Sequence, residues 1–446
     1  MAKTWRNIRG TFDILPWPSA ADGVAVPGSA AWQYVEDVIR KTMGRFHFEE
    51  IRTPVLEEEG LIVRGIGEGS DIVTKEMFVV ERGDDRYVLR PEVTAPVMRA
   101  WLQHRLDQRG GVQRLYYIGP CFRAERPQKG RYRQFHQFGC ETIGTDDPRA
   151  DAEVIALMLA VYDAFGITGS RLRINTLGLP EERKQYVEAL RAWLTPHKDV
   201  LSESGQRRLE KNPLRILDTK DEQEQALLRD APLLIDFTGE QTRKRYESVK
   251  ECLGDAGIDF IEDFLLVRGL DYYMHTAFEL ESPDLGAQSA LAGGGRYDLL
   301  ASALGSDRPA PGVGFAAGIE RLLLALDAQD ANIPETLPPD VFLVALGDEA
   351  QRWAFREAHR LRRQGISASF DLKGRSMKAQ MREAHRQRAL FALIAGQTEL
   401  EAGIIQLKNM DSGEQVQLPA DEAPEHISKC LRDSRESGDS YLLSSR

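Results

Sequence analysis

The chain has 446 residues, of which 42% are hydrophobic and 28% charged, and its formal net charge is −11. At roughly 150 residues per domain this length predicts about three domains, and the apolar content excludes a largely disordered chain. The longest clean apolar run, residues 154–162, is far shorter than the ~20 residues of a membrane span. No secretory signal is visible at the start. We therefore expect a cytoplasmic multidomain protein.

The first predicted elements are a helix over residues 31–46, an extended segment over 50–56 and a hairpin over 77–90. The helix has apolar residues at helical spacing. A proline inside the extended segment favours an edge or interface strand. A helix over residues 95–106 follows the hairpin.

Residues 112–144 predict an antiparallel hairpin with a basic loop at 126–132. Period-two alternation places Gln137 and Glu141 on one face of the second strand, about 13 Å apart at ~3.3 Å per residue. From residue 123 to 133 the local charge is +4. This patch either contacts a polyanion or is a solvated surface.

An amphipathic helix over residues 150–165 precedes a charged, helical region over about 176–262, which has the character of an insertion. Strand patterning resumes over 264–281. The Pro-rich segment 332–339 is the best domain boundary, and alternating strands and helices beyond it predict a small α/β domain. The predicted division is a first domain 1–331, a linker 332–339, an α/β domain 340–432 and a tail 433–446.

A second basic stretch lies in this α/β domain. Residues 352–388 contain eleven Lys or Arg and three acidic residues, a local charge of +8. Such a stretch suits contact with nucleic acid, although a solvated helix face has the same composition. The four scattered cysteines predict neither a disulfide framework nor a zinc site.

Three arginines, Arg123, Arg268 and Arg321, occur within strongly apolar patterns, with Arg268 expected in mid-strand. A guanidinium in such a place is either paired or binds an anion, and its planar donors suit phosphate. The sequence has no GxxxxGK[ST] motif, so these residues indicate nucleotide triphosphate binding without a P-loop, or structural salt bridges. The glycines at 312–318 and 293–295 are consistent with tight packing and a turn, respectively.

Three strings resemble the motifs of class II aminoacyl-tRNA synthetases: Arg52-Thr53-Pro54, Phe122-Arg123-Ala124-Glu125 and Gly314-Phe315-Ala316-Ala317-Gly318-Ile319-Glu320-Arg321. Four others are similar to the histidyl-tRNA synthetase family: Leu89-Arg90-Pro91-Glu92, the loop string from Arg126 to Gln137, Arg268-Gly269-Leu270-Asp271-Tyr272-Tyr273 and Gly294-Gly295-Arg296-Tyr297-Asp298. The resemblance extends from Arg9 to about residue 430.

This resemblance implies an α+β catalytic domain on an antiparallel sheet with a helical insertion, followed by an α/β anticodon-binding domain. It implies a histidine–tRNA ligase that forms histidyl-adenylate and pyrophosphate from L-histidine and ATP, then transfers histidine to the 3′ end of tRNA-His. The enzyme would be a homodimer, with residues 50–56 at the interface. Mg²⁺ would be bound mainly through the ATP phosphates, without a protein-only metal site.

The resemblance also implies roles for single residues. Arg268 and Arg123 would be catalytic, and Arg123, Glu125 and Arg321 would bind ATP. The acceptor end of tRNA would meet Arg126, Gln128 and Arg131. The resemblance does not assign the residue that reads the extra 5′ nucleotide; Gln128 either reads it or only solvates the loop. Histidine would be bound by Glu92, Val93, Thr94, Arg123, Gln137, Glu141, Arg268, Tyr272, Tyr273 and Tyr297.

The sequence departs from the family pattern at a few positions. Val93 replaces a usual Gly and is expected to crowd the ammonium pocket, while Met274, His275 and Leu299 replace commoner residues. One alternative is the non-catalytic, histidine-sensing regulatory subunit of ATP phosphoribosyltransferase. Another is a synthetase-like RNA-binding or scaffolding protein. The presence of residues 340–430 and of all three arginines argues against the first alternative, and the retention of Arg268 argues against the second.

Overall fold

The computed structural model describes residues 5–21, 23–334 and 338–436. The chain forms two compact units, one of residues up to 27 with 35–333 and the other of residues 28–34 with those from 334 on. The predicted linker 332–339 spans this division, and its residues 335–337 lie outside the described residues. The last helix continues to Glu436, past the predicted start of the tail at 433, and residues 437–446 are not among those described.

The strands, in chain order, have the following bounds: β1 Ser19–Ala21, β2 Val24–Val26, β3 Glu49–Glu50, β4 Leu56–Glu58, β5 Phe78–Arg82, β6 Asp85–Leu89, β7 Gln113–Phe122, β8 Gln134–Ile143, β9 Arg171–Thr176, β10 Ile261–Glu262, β11 Met274–Glu281, β12 Ala290–Arg296, β13 Gly312–Gly318, β14 Val341–Ala345, β15 Ala368–Phe370, β16 Phe391–Ala395, β17 Ile404–Asn409 and β18 Gln415–Pro419.

The α-helices have these bounds: α1 Ser29–Arg45, α2 Glu59–Ile66, α3 Thr94–Gln103, α4 Pro148–Ala164, α5 Pro180–Leu194, α6 Glu203–Lys211, α7 Glu222–Leu228, α8 Glu240–Asp255, α9 Leu300–Ala303, α10 Ile319–Ala328, α11 Asp348–Arg363, α12 Met377–Arg386, α13 Gln397–Glu401 and α14 Ala423–Glu436. A π-helix covers Ile72–Glu76, and 3₁₀ helices cover Leu106–Arg109, Thr195–Val200, Pro213–Ile216, Leu234–Phe237 and Pro283–Gln288.

The large unit is built on a sheet of order β10-β9-β11-β12-β13-β8-β7-β3. Its central pairs, from β9 to β7, are antiparallel, and a short parallel strand closes each edge. The antiparallel sheet predicted from the sequence is therefore confirmed. Helices α4 and α10 pack on one face, where Phe138 of β8 contacts Tyr162 of α4, with ring centroids 6.4 Å apart. The other face of β8 is left for the polar residues of the site.

The extended segment predicted over residues 50–56 is divided between two sheets. β3 pairs with β7 at the edge of the large sheet, whereas β4 joins β6 and β5 in a separate three-stranded sheet. Pro54 lies between them, where its missing N–H costs no strand pairing. The predicted hairpins of residues 77–90 and 112–144 are present as β5–β6 and β7–β8.

The helical insertion predicted over about 176–262 comprises α5 to α8 and the 3₁₀ helices between them. It begins where β9 ends and returns to the sheet through β10, which pairs with β9 in parallel. The strand predicted over residues 264–281 is shorter than expected, because β11 begins only at Met274. Residues 263–273 form an irregular loop between β10 and β11.

The second unit contains a mixed sheet of order β15-β14-β16-β17-β18. The first three strands are parallel, and β17 and β18 add antiparallel pairs. The apolar runs at β14 and β16 are buried beneath helices, as near-continuous hydrophobic strands of parallel sheets require. This is the small α/β domain predicted from the alternation of strands and helices.

Candidate active site

A cavity of about 620 Å³ opens on the polar face of the large sheet. Strands β8, β11, β12 and β13 form its floor, the loop of residues 263–273 forms one wall, and residues 217–229 of the insertion contribute another. Ten of the residues predicted from the sequence line this cavity: Glu92, Thr94, Arg123, Glu125, Arg131, Gln137, Arg268, Tyr272, Tyr273 and Arg321.

A buried polar network lies at one end of the cavity. The Glu92 carboxylate accepts hydrogen bonds from the main-chain N–H groups of Thr94 (2.7 Å) and Ala95 (2.9 Å), at the start of α3. The Thr94 hydroxyl donates to Glu141 (2.7 Å), and the Tyr297 hydroxyl donates to the other Glu141 oxygen (2.5 Å). Glu141 and Tyr297 are buried just behind the cavity lining, where Glu141 contacts Thr94 and the Tyr297 ring packs against that of Tyr272.

Burial dominates the ionisation of both carboxyl groups. It raises the pKa of Glu141 to about 8, although hydrogen bonds from Tyr297 and Thr94 lower it. It also raises the pKa of Glu92, against the opposing effect of the Ala95 and Thr94 N–H groups. A ligand cation or hydrogen-bond donor in this pocket therefore has a strong effect on the protonation of Glu92 and Glu141.

Missing side chains in β13 create the space for this network. A Cβ on Gly314 would lie 1.8 Å from a carboxylate oxygen of Glu141, and one on Gly312 would lie 2.4 Å from the Tyr297 ring. These distances are far below van der Waals contact. The glycines of this string thus serve close packing, as the sequence indicated, and the packing they allow is that of the site.

Arg268 lies in the irregular loop and not in mid-strand as predicted. Its guanidinium donates to Glu279 of β11 at 2.5 Å and lies 5.8 Å from the centroid of the Tyr273 ring. Burial by itself lowers the pKa of Arg268, but the neighbouring Glu279 carboxylate raises it overall. The Arg268 Nε is buried and has no hydrogen-bond partner among the described residues.

Gly293 makes room for that guanidinium. A Cβ there would lie 2.4 Å from both terminal nitrogens of Arg268, and a Cβ on Gly295 would lie 2.9 Å from the Tyr273 ring. The three consecutive glycines therefore lie within strand β12 and do not form the turn considered from the sequence.

Arg123 follows β7 and is oriented by Pro91, whose carbonyl accepts from its Nε at 3.0 Å. Its guanidinium carbon lies 5.3 Å from the centroid of the Phe135 ring, a cation–π contact. Glu125 interacts with both Arg123 (3.8 Å) and Arg131 (3.4 Å). This pair of arginines shares one carboxylate, which leaves a local excess of positive charge.

Arg321 projects from the first turn of α10. It donates to the main-chain carbonyls of Ala290 (2.8 Å) and Gly130 (3.3 Å), and burial lowers its pKa. The preceding residue, Glu320, accepts hydrogen bonds from the main-chain N–H of His136 (2.9 Å) and contacts the His136 ring at 3.0 Å. The hairpin and α10 are thus joined beside the cavity.

Some residues predicted for the site lie outside the cavity. Val93, expected to crowd the ammonium pocket, is buried in the apolar core with Val97 and Trp101 and is absent from the lining. Arg126 and Gln128 are exposed on the hairpin tip, which a main-chain bridge between Gln128 and Arg131 closes. Val93 points inward because it precedes α3, whose core-facing side it extends.

Sequence reasoning missed several cavity residues. Glu279, which binds Arg268, shares one face of β11 with Glu281, and two acids at period two in an apolar strand were a usable signal. Glu320 lies within the class II motif string that ends at Arg321, but no role was predicted for it. Residues from the insertion, including Lys220 and Arg229, also line the cavity. Nothing in their local sequence distinguishes them from surface helix residues.

The described residues contain no group of three or more His, Cys, Asp or Glu side chains that could hold a metal ion. None of the helices in the described part of the chain is long and apolar enough to cross a membrane.

An antiparallel sheet whose cavity collects three arginines without a P-loop, joined to a separate mixed α/β unit, defines a class II aminoacyl-tRNA synthetase. Residues 27–322 match the family described as histidyl-tRNA synthetase, and residues 340–429 match the anticodon binding domain. The chain belongs to the histidyl-tRNA synthetase family.

Individual proteins agree with this assignment. The chain is 49% identical over 418 residues to the histidine–tRNA ligase of Chloroherpeton thalassium, covering 93% of this chain and 95% of that one. It is 48% identical to the histidine–tRNA ligase of Chlorobium phaeovibrioides, covering 96% and 99%. The apo histidyl-tRNA synthetase of S. aureus superimposes with a TM-score of 0.78 at 37% identity, covering 95% and 100%. These similarities do not favour the regulatory-subunit alternative.

Proposed function

We propose that this chain is an aminoacyl-tRNA ligase that activates L-histidine with ATP and transfers it to tRNA-His. The observation that carries the proposal is the convergence of Arg123, Arg268 and Arg321 on one cavity, beside the buried network of Glu92, Thr94 and Glu141. The arginines suit a triphosphate, and the network suits a small polar amino acid. The family to which the chain belongs supports the combination.

The polar network is proposed to bind histidine. Glu92, Thr94 and Gln137 would receive the ammonium group, while Glu141 and Tyr273 would hold the two imidazole nitrogens with Tyr272 and Tyr297 packed beside them. Such a pocket rejects apolar amino acids, because they would leave its buried polar groups unpaired. The burial of Glu92 and Glu141 supports this assignment.

The arginines are proposed to bind ATP and to stabilise the transition state. Arg123 would contact the α-phosphate, with Glu125 beside it, and Arg321 would contact the γ-phosphate end. Arg268 would bridge the α-phosphate and the attacking carboxylate, and its place in the cavity lining beside Arg123 and Arg321 supports this role. Catalysis then requires positioning and cationic stabilisation, and no protein nucleophile.

The proposed reaction has two steps, adenylate formation and transfer to tRNA. A histidine carboxylate oxygen attacks the α-phosphorus, and the bond to pyrophosphate breaks to give histidyl-adenylate. The 3′-terminal ribose hydroxyl of tRNA then attacks the adenylate carbonyl, and AMP leaves. Mg²⁺ would neutralise the β- and γ-phosphates; the cavity carboxylates Glu125 and Glu279 are already paired with arginines, which fits a metal held mainly through ATP.

Two surfaces are proposed to contact tRNA-His. The exposed hairpin tip, with Arg126, Gln128 and Arg131, would meet the acceptor end, and Gln128 would read the extra 5′ nucleotide. In the second unit, a groove of about 530 Å³ beside β14 and β15 is lined by Arg352, Arg356 and Phe355, whose side chain is 62% exposed. The lining also contains Asp348 and Asp371, of which Asp371 is paired with Arg375. Arg352 and Arg356 beside the exposed ring are therefore the groups proposed to contact an unpaired RNA loop.

We further propose a cytoplasmic homodimer. A groove of about 940 Å³ is lined by residues of the predicted interface, among them Ile51 and Pro54, and by Leu61 of α2. Leu56, Val79 and Val80 are 39–44% exposed on the adjoining three-stranded sheet, which a second copy of the chain would cover. Sedimentation equilibrium would give twice the chain mass of 50.1 kDa; a monomer at micromolar concentration would contradict this part of the proposal.

The test of the activity is histidine-dependent exchange of labelled pyrophosphate into ATP, without tRNA, in the parent protein and in Arg268→Ala. We expect exchange in the parent and a loss of roughly 10²–10³-fold in the variant, as when one preorganised charge-stabilising donor is removed. Arg149→Ala, which removes an exposed arginine paired with Asp147, serves as the control and should exchange like the parent.

A folded parent that binds histidine without exchanging pyrophosphate would contradict the proposal. That result would favour the alternative function, that of the histidine-sensing regulatory subunit. Exchange that persists at the parental rate in Arg268→Ala would instead leave the activity standing and remove Arg268 from its catalytic role.

A further inference from the structure

The loop of residues 268–273 carries Arg268, Tyr272 and Tyr273 into the cavity but contains no helix or strand. Behind it lies a second, smaller cavity of about 170 Å³, bounded by Leu270 on the loop and Leu234 of the insertion among others. Leu270 and Tyr272 pack against the apolar core, and the Asp271 N–H donates to the Ile66 carbonyl at 3.1 Å, but the void removes packing contacts from the side of the loop that faces the insertion. Hydrogen bonds from the insertion therefore help to fix the position of the loop.

Two arginines of the insertion supply such bonds. Arg215 donates to the main-chain carbonyl of Gly269 at 2.6 Å and contacts the Asp271 carboxylate at 3.3 Å. Arg183 donates to the main-chain carbonyl of Tyr273 at 2.6 Å. Within the described part of the chain Arg183 forms no ion pair, so this carbonyl is its polar partner.

Both arginines are themselves held in place. Arg183 lies in the first turn of α5, where the Glu182 carboxylate accepts from the N–H groups of Leu179 (2.7 Å) and Gly239 (2.7 Å) and so joins the starts of α5 and α8. Arg215 lies in the 3₁₀ helix Pro213–Ile216, whose Ile216 is fully buried. The insertion thus presents two anchored guanidinium groups to the rear of the loop.

We propose that Arg183 and Arg215 are positioning residues, through which the helical insertion sets the placement of the catalytic loop. The inference rests on the proposed function and adds a role for the insertion in histidine activation itself, before tRNA is present. Neither arginine is assigned to contact substrate.

The two contacts have different consequences. Arg215 holds Gly269, the neighbour of Arg268, so its loss displaces the group that stabilises the phosphoryl transition state and lowers kcat. Arg183 holds Tyr273, which is assigned to the imidazole, so its loss chiefly raises the KM for histidine. Each effect should be roughly 10- to 100-fold, since small misplacements at a reacting centre cost that much.

The experiment measures tRNA-independent pyrophosphate exchange in Arg183→Met and Arg215→Met, which keep most of the side-chain stem and remove the donors. Arg183→Lys and Arg215→Lys restore a single donor and should recover part of the loss. Arg191→Met is the matched control, because Arg191 also lies in the insertion and donates to a main-chain carbonyl, that of Glu210, away from the loop. It should behave like the parent.

The expected result is a KM effect at Arg183 and a kcat effect at Arg215, both partly rescued by lysine. The proposal is overturned if either methionine variant has the kinetics of the parent. It is also overturned if kcat falls and KM rises equally at both positions and lysine does not rescue them, because that result indicates a general loss of rigidity in the insertion. If a methionine variant fails to fold, the lysine variant at the same position is measured instead. A lysine variant as stable as the parent but with an altered kcat or KM supports the proposal, and one with the kinetics of the parent overturns it. Absence of exchange in the parent would instead contradict the proposed function.

Discussion

At the scale of single residues, burial has more influence on the site than the identity of any one side chain. Glu92 and Glu141 are acidic residues like many others in this chain, but both are almost completely removed from solvent. Their environment raises the pKa of each, and the pKa of Glu141 reaches about 8. The free protein therefore carries a proton at Glu141 at neutral pH.

This ionisation predicts a pH-dependent stability. Between about pH 4.5 and pH 8 the folded protein holds a proton on Glu141 that the unfolded chain releases, so the free energy of unfolding falls as pH rises. Glu141→Gln removes this dependence. We expect the thermal midpoint of the parent, relative to that of Glu141→Gln, to fall steadily from pH 5 to pH 8.

The slope contributed by one group cannot exceed about 1.4 kcal/mol per pH unit. Glu188→Gln, at an exposed acid of α5 away from the proposed dimer interface, is the control, and its thermal midpoint should follow that of the parent. A difference between parent and Glu141→Gln that is constant across the range would contradict the raised pKa.

At the scale of elements, strands β12 and β13 of the site carry glycines at positions where a longer side chain would collide with the functional groups. β12 and β13 place glycines where the side chains of Arg268, Tyr273, Glu141 and Tyr297 need the space. A sheet interior ordinarily disfavours glycine, so these strands give up local stability for the close approach of functional groups.

Gly293→Ala tests this arrangement. The new methyl group would lie 2.4 Å from the Arg268 guanidinium, and because that group is the end of a flexible side chain, it will move while the strand stays in place. We expect a loss of pyrophosphate exchange of at least tenfold, about 1.4 kcal/mol in transition-state stabilisation, with a nearly unchanged thermal midpoint.

Gly254→Ala is the matched control, since a Cβ at this exposed position of α8 meets nothing within 4 Å. That substitution should keep full exchange and gain up to about 1 kcal/mol in helix stability. Full exchange in Gly293→Ala would show that Arg268 functions without its present position.

At the scale of the whole molecule, two of the proposed sites lie in different units. The cavity that would activate histidine lies in the larger unit, together with the hairpin tip, and the groove lined by Arg352, Arg356 and Phe355 lies in the smaller one. Amino acid activation without tRNA should therefore be independent of the smaller unit's surface.

Phe355→Ala measures this independence. We expect an unchanged rate of pyrophosphate exchange and a KM for tRNA-His raised roughly tenfold, because stacking of one base on an aromatic ring contributes about 1–3 kcal/mol. Val416→Ala, also at an exposed apolar residue of the second unit, is the control. Equal KM values for the parent and Phe355→Ala would exclude the groove as an RNA surface.

Much of this protein could be predicted from the sequence alone. Period-two alternation identified the face that carries Gln137 and Glu141, and the arginines in apolar patterns identified the cavity that Arg123, Arg268 and Arg321 share. These inferences succeeded because strand periodicity and the cost of burying an unpaired charge act locally. The mixed α/β domain followed in the same way from alternating strands and helices.

Other features were decided only by the tertiary structure. Arg268 lies in a loop because the insertion, the ion pair with Glu279 and the space at Gly293 together outweigh the strand propensity of its neighbours. Val93 faces the core because the packing of α3 orients it. Arg183 and Arg215 look like surface helix residues in the sequence, and their contacts with Tyr273 and Gly269 join positions 90 and 54 residues apart. Local pattern carries no information about such contacts, because they form only when the insertion has packed against the sheet.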